Sequence, residues 1–317
     1  SSAASDVYKR QVPTTKPKKV AIIGGGIGGM ECALVLKRRG HKPVIFEKNA
    51  RPGGMLTYGI PSYKLEKSVI EAEVAIIEEM GAEIRYGVEV GRDVTLAELR
   101  EQGFKAFYVA IGCQGGRLPG IPGEDAEGCS VAVDFLRAVA EQQENGGEAA
   151  ALPGRTIVVG GGNVAIDVAR TSVRCGAAEV SMYCLEPRES MPASAEEAAE
   201  AEDEGVAIRC GWGPKEILAE AGRVTGIVLK RCVSVFDENG RFCPRYDEAD
   251  TITVPCEHVF LSIGQSIRWG SLLDGAKVEL GRGGAAVADP LTYQTAQPDI
   301  FVAVSYTHLT LPTNSRG

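Results

Sequence analysis

Nine cysteines are present, yet no two of them form a Cys-x-x-Cys pair. Zinc ribbons, ferredoxin-type clusters and thioredoxin-like redox pairs therefore lack support. The nearest approach to a metal cluster is Cys256-x-His258 with Cys232 and Cys243 upstream, and its spacing is wrong for zinc. No metal site is expected. An odd, scattered set of thiols in a large glycine-rich chain reads as a reducing, cytoplasmic setting. Long apolar runs are absent too: Val20–Ile23 and Thr156–Val159 are strand-sized, far short of the ~20 residues of a membrane span. There is no basic excess, with 34 Lys+Arg against 42 Asp+Glu, a net charge of −8 and a pI near 5.2. Neither nucleic acid nor membrane is an expected partner. His41, His258 and His308 are the three histidines, and none stands near a Ser or Cys arrangement that suggests a hydrolytic triad. Aromatic residues make up 6%, whereas glycine numbers 39, a balance that suits α/β turns and phosphate loops. At 317 residues the chain exceeds the ~100–200 of a usual domain, so two domains are expected.

Both ends differ from the rest. Ser1–Gln11 has no apolar core and is not a secretory signal. The tail Val304–Gly317 follows a strand-like Asp299–Ala303 but continues no helix or turn pattern. Both strings resemble translated sequencing-adapter read-through. Residues 1–17 and 304–317 are therefore expected to be non-native or disordered, and the chain to be truncated at both ends.

An internal repeat sets the architecture. KVAIIGGGIGG (Lys19–Gly29) and RTIVVGGGNVA (Arg155–Ala165) each run from a β-branched strand into Gly-x-Gly-x-x-Gly/Ala. Each then enters an Ala/Leu/Val-rich helix, about Gly28–Arg39 and Val164–Cys175, closed by Gly40 and Gly176. Gly24 and Gly160 permit the tight turn; Gly26 and Gly162 let backbone approach a diphosphate; Gly29 and Ala165 allow close helix–strand packing. The helix N-terminus adds free N–H groups and about half a positive charge. The next strands, Lys42–Glu47 and Glu179–Glu186, end in carboxylates roughly 20 residues on, where an acid receives ribose hydroxyls. Each unit finishes on an apolar strand ending in Ile-Gly, Ala106–Gly112 and His258–Gly264. The expected fold class is α/β: two Rossmann-like dinucleotide-binding domains, the second inserted in the first. Two such sites suggest two cofactors held against each other.

These residues resemble the two-dinucleotide-binding flavoproteins, and within them the small (beta) subunit of glutamate synthase and its relatives. The stretches that carry the resemblance are VAIIGGGIGG, ARPGGMLTYGIPSYKL (50–65), SVAVDFLRAV (130–139) and VVGGGNVAIDVART (158–171), followed by ESMPAS (189–194), GPKEI (213–217), KRCVSVFDENGRF (230–242) and LSIGQS (261–266). The resemblance covers about Lys18–Ala303. It implies FAD in 18–121 with 265–303, and NAD(P)H in 122–264. It also implies electron transfer to a ferredoxin-like or iron–sulfur acceptor, or to a larger catalytic subunit, with any iron–sulfur cluster in that partner or in a missing segment.

By position, the resemblance assigns Gly24, Gly26, Ile27, Gly28 and Gly29 to the FAD diphosphate, and Glu47 with Lys48 to its ribose side. Arg51, Gly53, Gly54 and Met55 belong to the loop beside FAD. Tyr58, Gly59, Ile60, Pro61 and Lys64 approach the flavin, and Ala110, Ile111 and Gly112 lie at the adjoining strand end. Gly160, Gly161, Gly162, Asn163 and Val164 cradle the nicotinamide cofactor, and Ile263, Gly264 and Gln265 lead back towards the flavin. Relatives that use NADPH commonly carry an Arg pair where this chain has Leu185–Glu186. A carboxylate there repels a 2′-phosphate and bonds a 2′-hydroxyl, so NADH is the expected donor; Arg188 is the counter-argument, being close enough to pair with a phosphate.

Three departures from the family pattern stand out. The family's Gly-Asp after the last strand is replaced by Val304–Ser305. No iron–sulfur domain precedes Lys18. Cys32 stands alone in the first helix, which disfavours disulfide reduction. The competing reading is a non-catalytic nucleotide-binding module or an inactive fragment lacking the C-terminal FAD motif. A reductase for a small organic substrate is weaker, because no substrate domain is visible. Glu196–Glu204 reads as a solvated acidic helix, and Asp237–Thr253 as a polar β-excursion of the nicotinamide domain.

Overall fold

Alternation of β-branched residues with glycine-terminated helices produces two parallel sheets in the computed structural model, which describes residues 16–144, 146, 147 and 151–303. The expectations for residues 1–15 and 304–317, His308 among them, lie outside the described residues. The chain divides into two units. One runs from the first described residue to Tyr58, takes in Ser62–Gln114, and resumes at Ser266; the other comprises Gly59–Pro61 and Gly115–Gln265. The second unit is thus inserted in the first, each is α/β, and the fold is the expected one.

The first unit begins with strand β1 (Lys19–Ile23), helix α1 (Ile27–Arg38) and strand β2 (Lys42–Glu47). A short helix α2 (Met55–Tyr58) and the longer α3 (Lys67–Glu79) precede β3 (Glu83–Tyr86), α4 (Leu96–Glu101) and β4 (Ala106–Val109). The last strand, β15 (Ile300–Val302), returns from the far end of the chain to complete the order β15-β4-β1-β2-β3, all parallel. The period of two along each strand divides the core. Ala21, Ile23, Val44, Phe46, Phe107 and Val109 pack on one face with Leu96, Leu99 and Phe104. Ile22 and Ile45 pack on the other with Met30 and Ala33 of α1 and Ile70 and Val74 of α3. Each fully buried aliphatic side chain there contributes roughly 1.5–3 kcal/mol. Asp299 secures the β15 edge through a two-pronged pair with Arg100, at 2.6 and 3.1 Å.

The second unit contains the short strand β5 (Gly115–Gly116), then β6 (Cys129–Val131), helix α5 (Ala132–Glu144), β7 (Arg155–Val159) and helix α6 (Asn163–Arg174). Strand β8 (Glu179–Cys184), helix α7 (Ala195–Asp203) and β9 (Ala207–Cys210) follow. Three antiparallel strands, β10 (Trp212–Glu220), β11 (Arg223–Phe236) and β12 (Phe242–Pro255), come before β13 (His258–Leu261) and the short β14 (Gln265–Ser266). The parallel sheet has the order β6-β13-β7-β8-β9. Val158, Val180, Met182 and Phe260 face α6 and α7, whereas Ile157, Val159, Val259 and Leu261 face Trp212, Ile217, Ile227 and Leu229 of the antiparallel sheet. The polar Asp237–Thr253 stretch is thus a turn plus the outer strand of a larger meander, and its polarity follows from the exposure of β12. Gly115–Ile121 belongs with this unit: a Cβ on Gly116 would meet the Val131 side chain at 2.3 Å.

One expectation needs correcting. The acidic helix α7 is not simply solvated. Glu200 and Glu204 grip Arg170 of α6, whose side chain is 9% exposed, and Glu204 also holds Arg174. Hydrogen bonds from Arg174 and then Arg170 pull the Glu204 carboxyl down to about 2. A depressed folded-state value stabilises the protein above the ordinary carboxylate range, and that stabilisation is lost as pH falls from about 4.5 towards 2. Glu204→Gln is therefore expected to lower stability at neutral pH by about 1–3 kcal/mol, since it weakens the anchoring of a buried guanidinium. Urea melts of both proteins check this: the gap should narrow through that acid window, and a pH-independent gap would contradict it.

Among the described residues, no helix is long and apolar enough to cross a membrane.

Candidate functional site

In the first unit the site is built around the turn after β1. The Gly24 N–H donates to the Phe46 carbonyl (2.9 Å), which fixes the turn on β2. Gly24 sits at φ +107°, and a Cβ there would lie 2.4 Å from the Ala110 carbonyl oxygen. A Cβ on Gly29 would lie 1.9 Å from the Gly24 carbonyl oxygen. Glycine is thus required twice by backbone, not by a movable side chain. Gly25 donates to Glu47 Oε2 (2.7 Å), while Glu47 Oε1 accepts from the backbone and side-chain amides of Asn49 (2.8 and 2.7 Å). Glu47 is 4% exposed, and its carboxylate fastens the glycine turn to the strand end.

The loop 51–58 closes on this turn. Gly53 donates to the Gly25 carbonyl (2.7 Å), and a Cβ on Gly54 would meet Gly26 Cα at 3.0 Å. Tyr58 is buried, its hydroxyl 3.2 and 3.4 Å from the Arg51 backbone N and O, so it braces the loop from within. The Arg51 side chain reaches Glu71 at 3.2 Å. Met55 opens α2, and Lys64 is half-buried. Gly59, Ile60 and Pro61 group with the second unit.

Beside the turn lies a cleft that is partly open to solvent. Gly24, Glu47, Lys48, Ile111 and Gly112 line it, together with Val88, Gln114, Arg268, Trp269 and Leu272. These last five carry no local motif. They arrive from loops distant in sequence, and Trp269 is held by donating from Nε1 to the Gly284 carbonyl (2.7 Å).

The second unit repeats the same device. Gly160 donates to the Tyr183 carbonyl (2.8 Å), lies at φ +145°, and a Cβ there would stand 2.3 Å from the Ser262 carbonyl oxygen. A Cβ on Gly161 would meet Cys184 Cβ at 2.9 Å, Glu186 Oε2 at 3.1 Å and Met191 Cγ at 3.3 Å. Gly161 O accepts from Ala193 N (2.9 Å), and Asn163 Oδ1 accepts from Ser194 N (3.0 Å). The MPAS segment is therefore tied to the dinucleotide loop, a link that only the fold reveals. Val164 is half-buried on α6. Ile263 is partly exposed, and Arg117 fastens the segment after it through the carbonyls of Gly264 (3.1 Å) and Gln265 (3.0 Å). Arg188 pairs with Glu202 at 2.7 Å.

Both turns fit a diphosphate. The N-caps of α1 and α6 are Gly26 and Gly162, and neither helix start receives a side-chain cap. A Cβ on Gly162 would meet nothing within 4 Å, and one on Gly26 only Gly54 Cα at 3.9 Å. Each helix thus presents uncapped N–H groups beside an open backbone surface, which is what an anion needs. In the first unit, Gly28 lies just inside α1, and Ile27 is 61% exposed at its start.

Cys32 is half-buried, and burial with the nearby Glu31 pushes it up to about 12. Burial does the same to Cys256, also to about 12. The cysteines are less scattered than the sequence suggests: Cys184 and Cys210, paired across β8 and β9, have sulfurs 3.6 Å apart. Among the described residues no group of three or more His, Cys, Asp or Glu could hold a metal ion. His41 Nδ1 takes the Lys18 N–H (3.2 Å), and His258 Nε2 lies 3.1 Å from the Pro153 carbonyl.

A protein with two such units, one inserted in the other, falls in the class of two-dinucleotide-binding oxidoreductase folds. The chain belongs to the pyridine nucleotide-disulphide oxidoreductase family, whose model matches residues 18–310. It is 37% identical over 297 residues to the glutamate synthase [NADPH] small chain of Halomonas elongata, covering 91% of this chain and 62% of that one. It is 38% identical over 291 residues to the NADP(+)-dependent formate dehydrogenase subunit beta of Moorella thermoacetica, covering 90% and 40%. The chain thus spans less than two thirds of the length of these relatives. Among solved structures it resembles Mycobacterium tuberculosis FprA in complex with NADPH, with a TM-score of 0.73 at 21% identity, covering 90% of this chain and 78% of that one.

Proposed function

We propose that this chain is an FAD-dependent NAD(P)H oxidoreductase of glutamate synthase small-subunit type. In this reading it holds FAD in the first unit and the nicotinamide nucleotide in the second. When bound, FAD supplies an acceptor for the nicotinamide hydride and can release the electrons one at a time. The observation that carries the reading is the duplicated turn: two glycine N-caps, each open on its outer side and each backed by a carboxylate, Glu47 at the end of β2 and Glu186 two residues beyond β8.

The chain's own residues hold and orient. Gly24–Gly29 and the start of α1 receive the FAD diphosphate, with Glu47 rigid beneath the turn and ready to accept from a ribose hydroxyl. Gly53 and Gly54 press the second loop against that turn, which fixes the wall that faces the cofactor. Gly160–Val164 receive the second diphosphate. Glu186, near Gly161, accepts from a 2′-hydroxyl and repels a 2′-phosphate, so NADH is the preferred donor. No general acid or base is required, because alignment of the two nucleotides supplies most of the rate. The electrons pass to an iron–sulfur partner or a larger catalytic subunit. The names of the two relatives, one a small chain and one a subunit beta, support such a partner.

Steady-state reduction of ferricyanide by the FAD-loaded chain tests this reading. NADH should give a kcat/KM at least about tenfold above NADPH, since a carboxylate and a phosphate cannot share one ribose pocket without a cation. The reverse order would overturn the donor assignment alone. Turnover without flavin would overturn the whole reading.

A further inference from the structure

Arg188 is the single Lys or Arg between Cys184 and Asp203, in a stretch that holds seven Glu and Asp residues from Glu186 to Asp203. It is therefore the one residue in that stretch that can offer a 2′-phosphate a positive charge. Its position is bracketed. Glu186 Oε2 before it and Met191 Cγ after it both come within 3.3 Å of where a Gly161 Cβ would stand, and Ala193 donates to the Gly161 carbonyl. The short turn Arg188–Ser190 therefore arches beside the dinucleotide loop, fastened to it after the turn through Ala193 and lying against it before the turn at Glu186. The guanidinium at its start is engaged by α7, where Glu202 Oε2 lies 2.7 Å from Arg188 Nη2.

We infer that Glu202 is a specificity-determining residue for the nicotinamide nucleotide, acting through Arg188 as a positioning residue. By holding the guanidinium on α7 and neutralising it, Glu202 denies a 2′-phosphate the cation that this turn carries, and leaves Glu186 to set the preference for a free 2′-hydroxyl. This rests on the proposal that the second unit binds the nicotinamide nucleotide. Both partners are partly exposed, at 40% and 45% of the side chain, so the latch is released by a single substitution and its effect is moderate.

The test is calorimetric titration of the FAD-loaded chain with 2′,5′-ADP and with 5′-ADP. Glu202→Gln should shift the affinity ratio about fivefold towards 2′,5′-ADP, an effect of the size expected for freeing one exposed ion-paired guanidinium. The shift should shrink as salt is raised, and it should vanish in Arg188→Ala/Glu202→Gln. A general loosening of α7 would weaken both probes together and leave the ratio unchanged; that result overturns the inference. A shift that survives loss of Arg188 overturns it equally. If the unsubstituted chain binds neither probe, the nucleotide assignment of the second unit fails, and this inference falls with it.

Discussion

Gly29→Ala is expected to destabilise the first unit by about 3 kcal/mol and to remove its capacity to retain FAD. That figure lies at the upper end for an inserted methyl, because the obstacle is the Gly24 carbonyl oxygen, 1.9 Å from the new Cβ, and not a side chain that could rotate away. Relief would require α1 to move off β1, which would break the packing of Met30 and Ala33 on Ile22 and shift the helix N-terminus away from the diphosphate. The corresponding position of the second unit behaves oppositely. Ala165 is fully buried in α6 with its methyl already accommodated, so Ala165→Gly is expected to lower stability by only about 1–2 kcal/mol, through helix propensity and lost burial. Flavin content per chain after gel filtration, with denaturant melts, checks both. A Gly29→Ala protein that keeps stoichiometric FAD would contradict the packing argument.

The second large effect is at the β8 terminus. Leu185→Arg/Glu186→Arg should reverse the nucleotide preference, raising NADPH relative to NADH by about 100-fold or more. Removing one carboxylate and adding guanidinium groups exchanges repulsion of a 2′-phosphate for charge-assisted hydrogen bonds. Glu186 is the stronger contributor, because its carboxylate already lies beside Gly161. Ratios of kcat/KM for the two donors give the measurement. A ratio unchanged by both substitutions would mean that the ribose is read elsewhere.

Sequence pattern reached the frame of this fold because the frame is local. A β-branched strand, a glycine turn and an Ala/Val helix state their own geometry twice, and the two carboxylate-tipped strands follow at the spacing the unit requires. The helices begin a residue earlier than the pattern suggests, at Ile27 and Asn163, since each glycine before them serves as N-cap. What stayed hidden is non-local. The Gln114, Arg268 and Trp269 walls of the first cleft come from segments far apart in sequence. The tie from Ala193 to Gly161, and that from Ser194 to Asn163, depend on how α7 returns along α6. Tyr58 and Arg51 carry family positions, yet the Tyr58 hydroxyl is directed at the Arg51 backbone and the Arg51 guanidinium at Glu71, relations no motif encodes. The acidity of α7 looked like solvation because the arginines it serves lie on another helix, one of them nearly buried.

The most direct test of the central claim is an anaerobic visible spectrum of the FAD-reconstituted chain before and after one equivalent of NADH. The account predicts stoichiometric bound flavin whose visible band bleaches on mixing with NADH, and more slowly with NADPH. Flavin that is not retained, or that is retained but stays oxidised with both nucleotides, would contradict it.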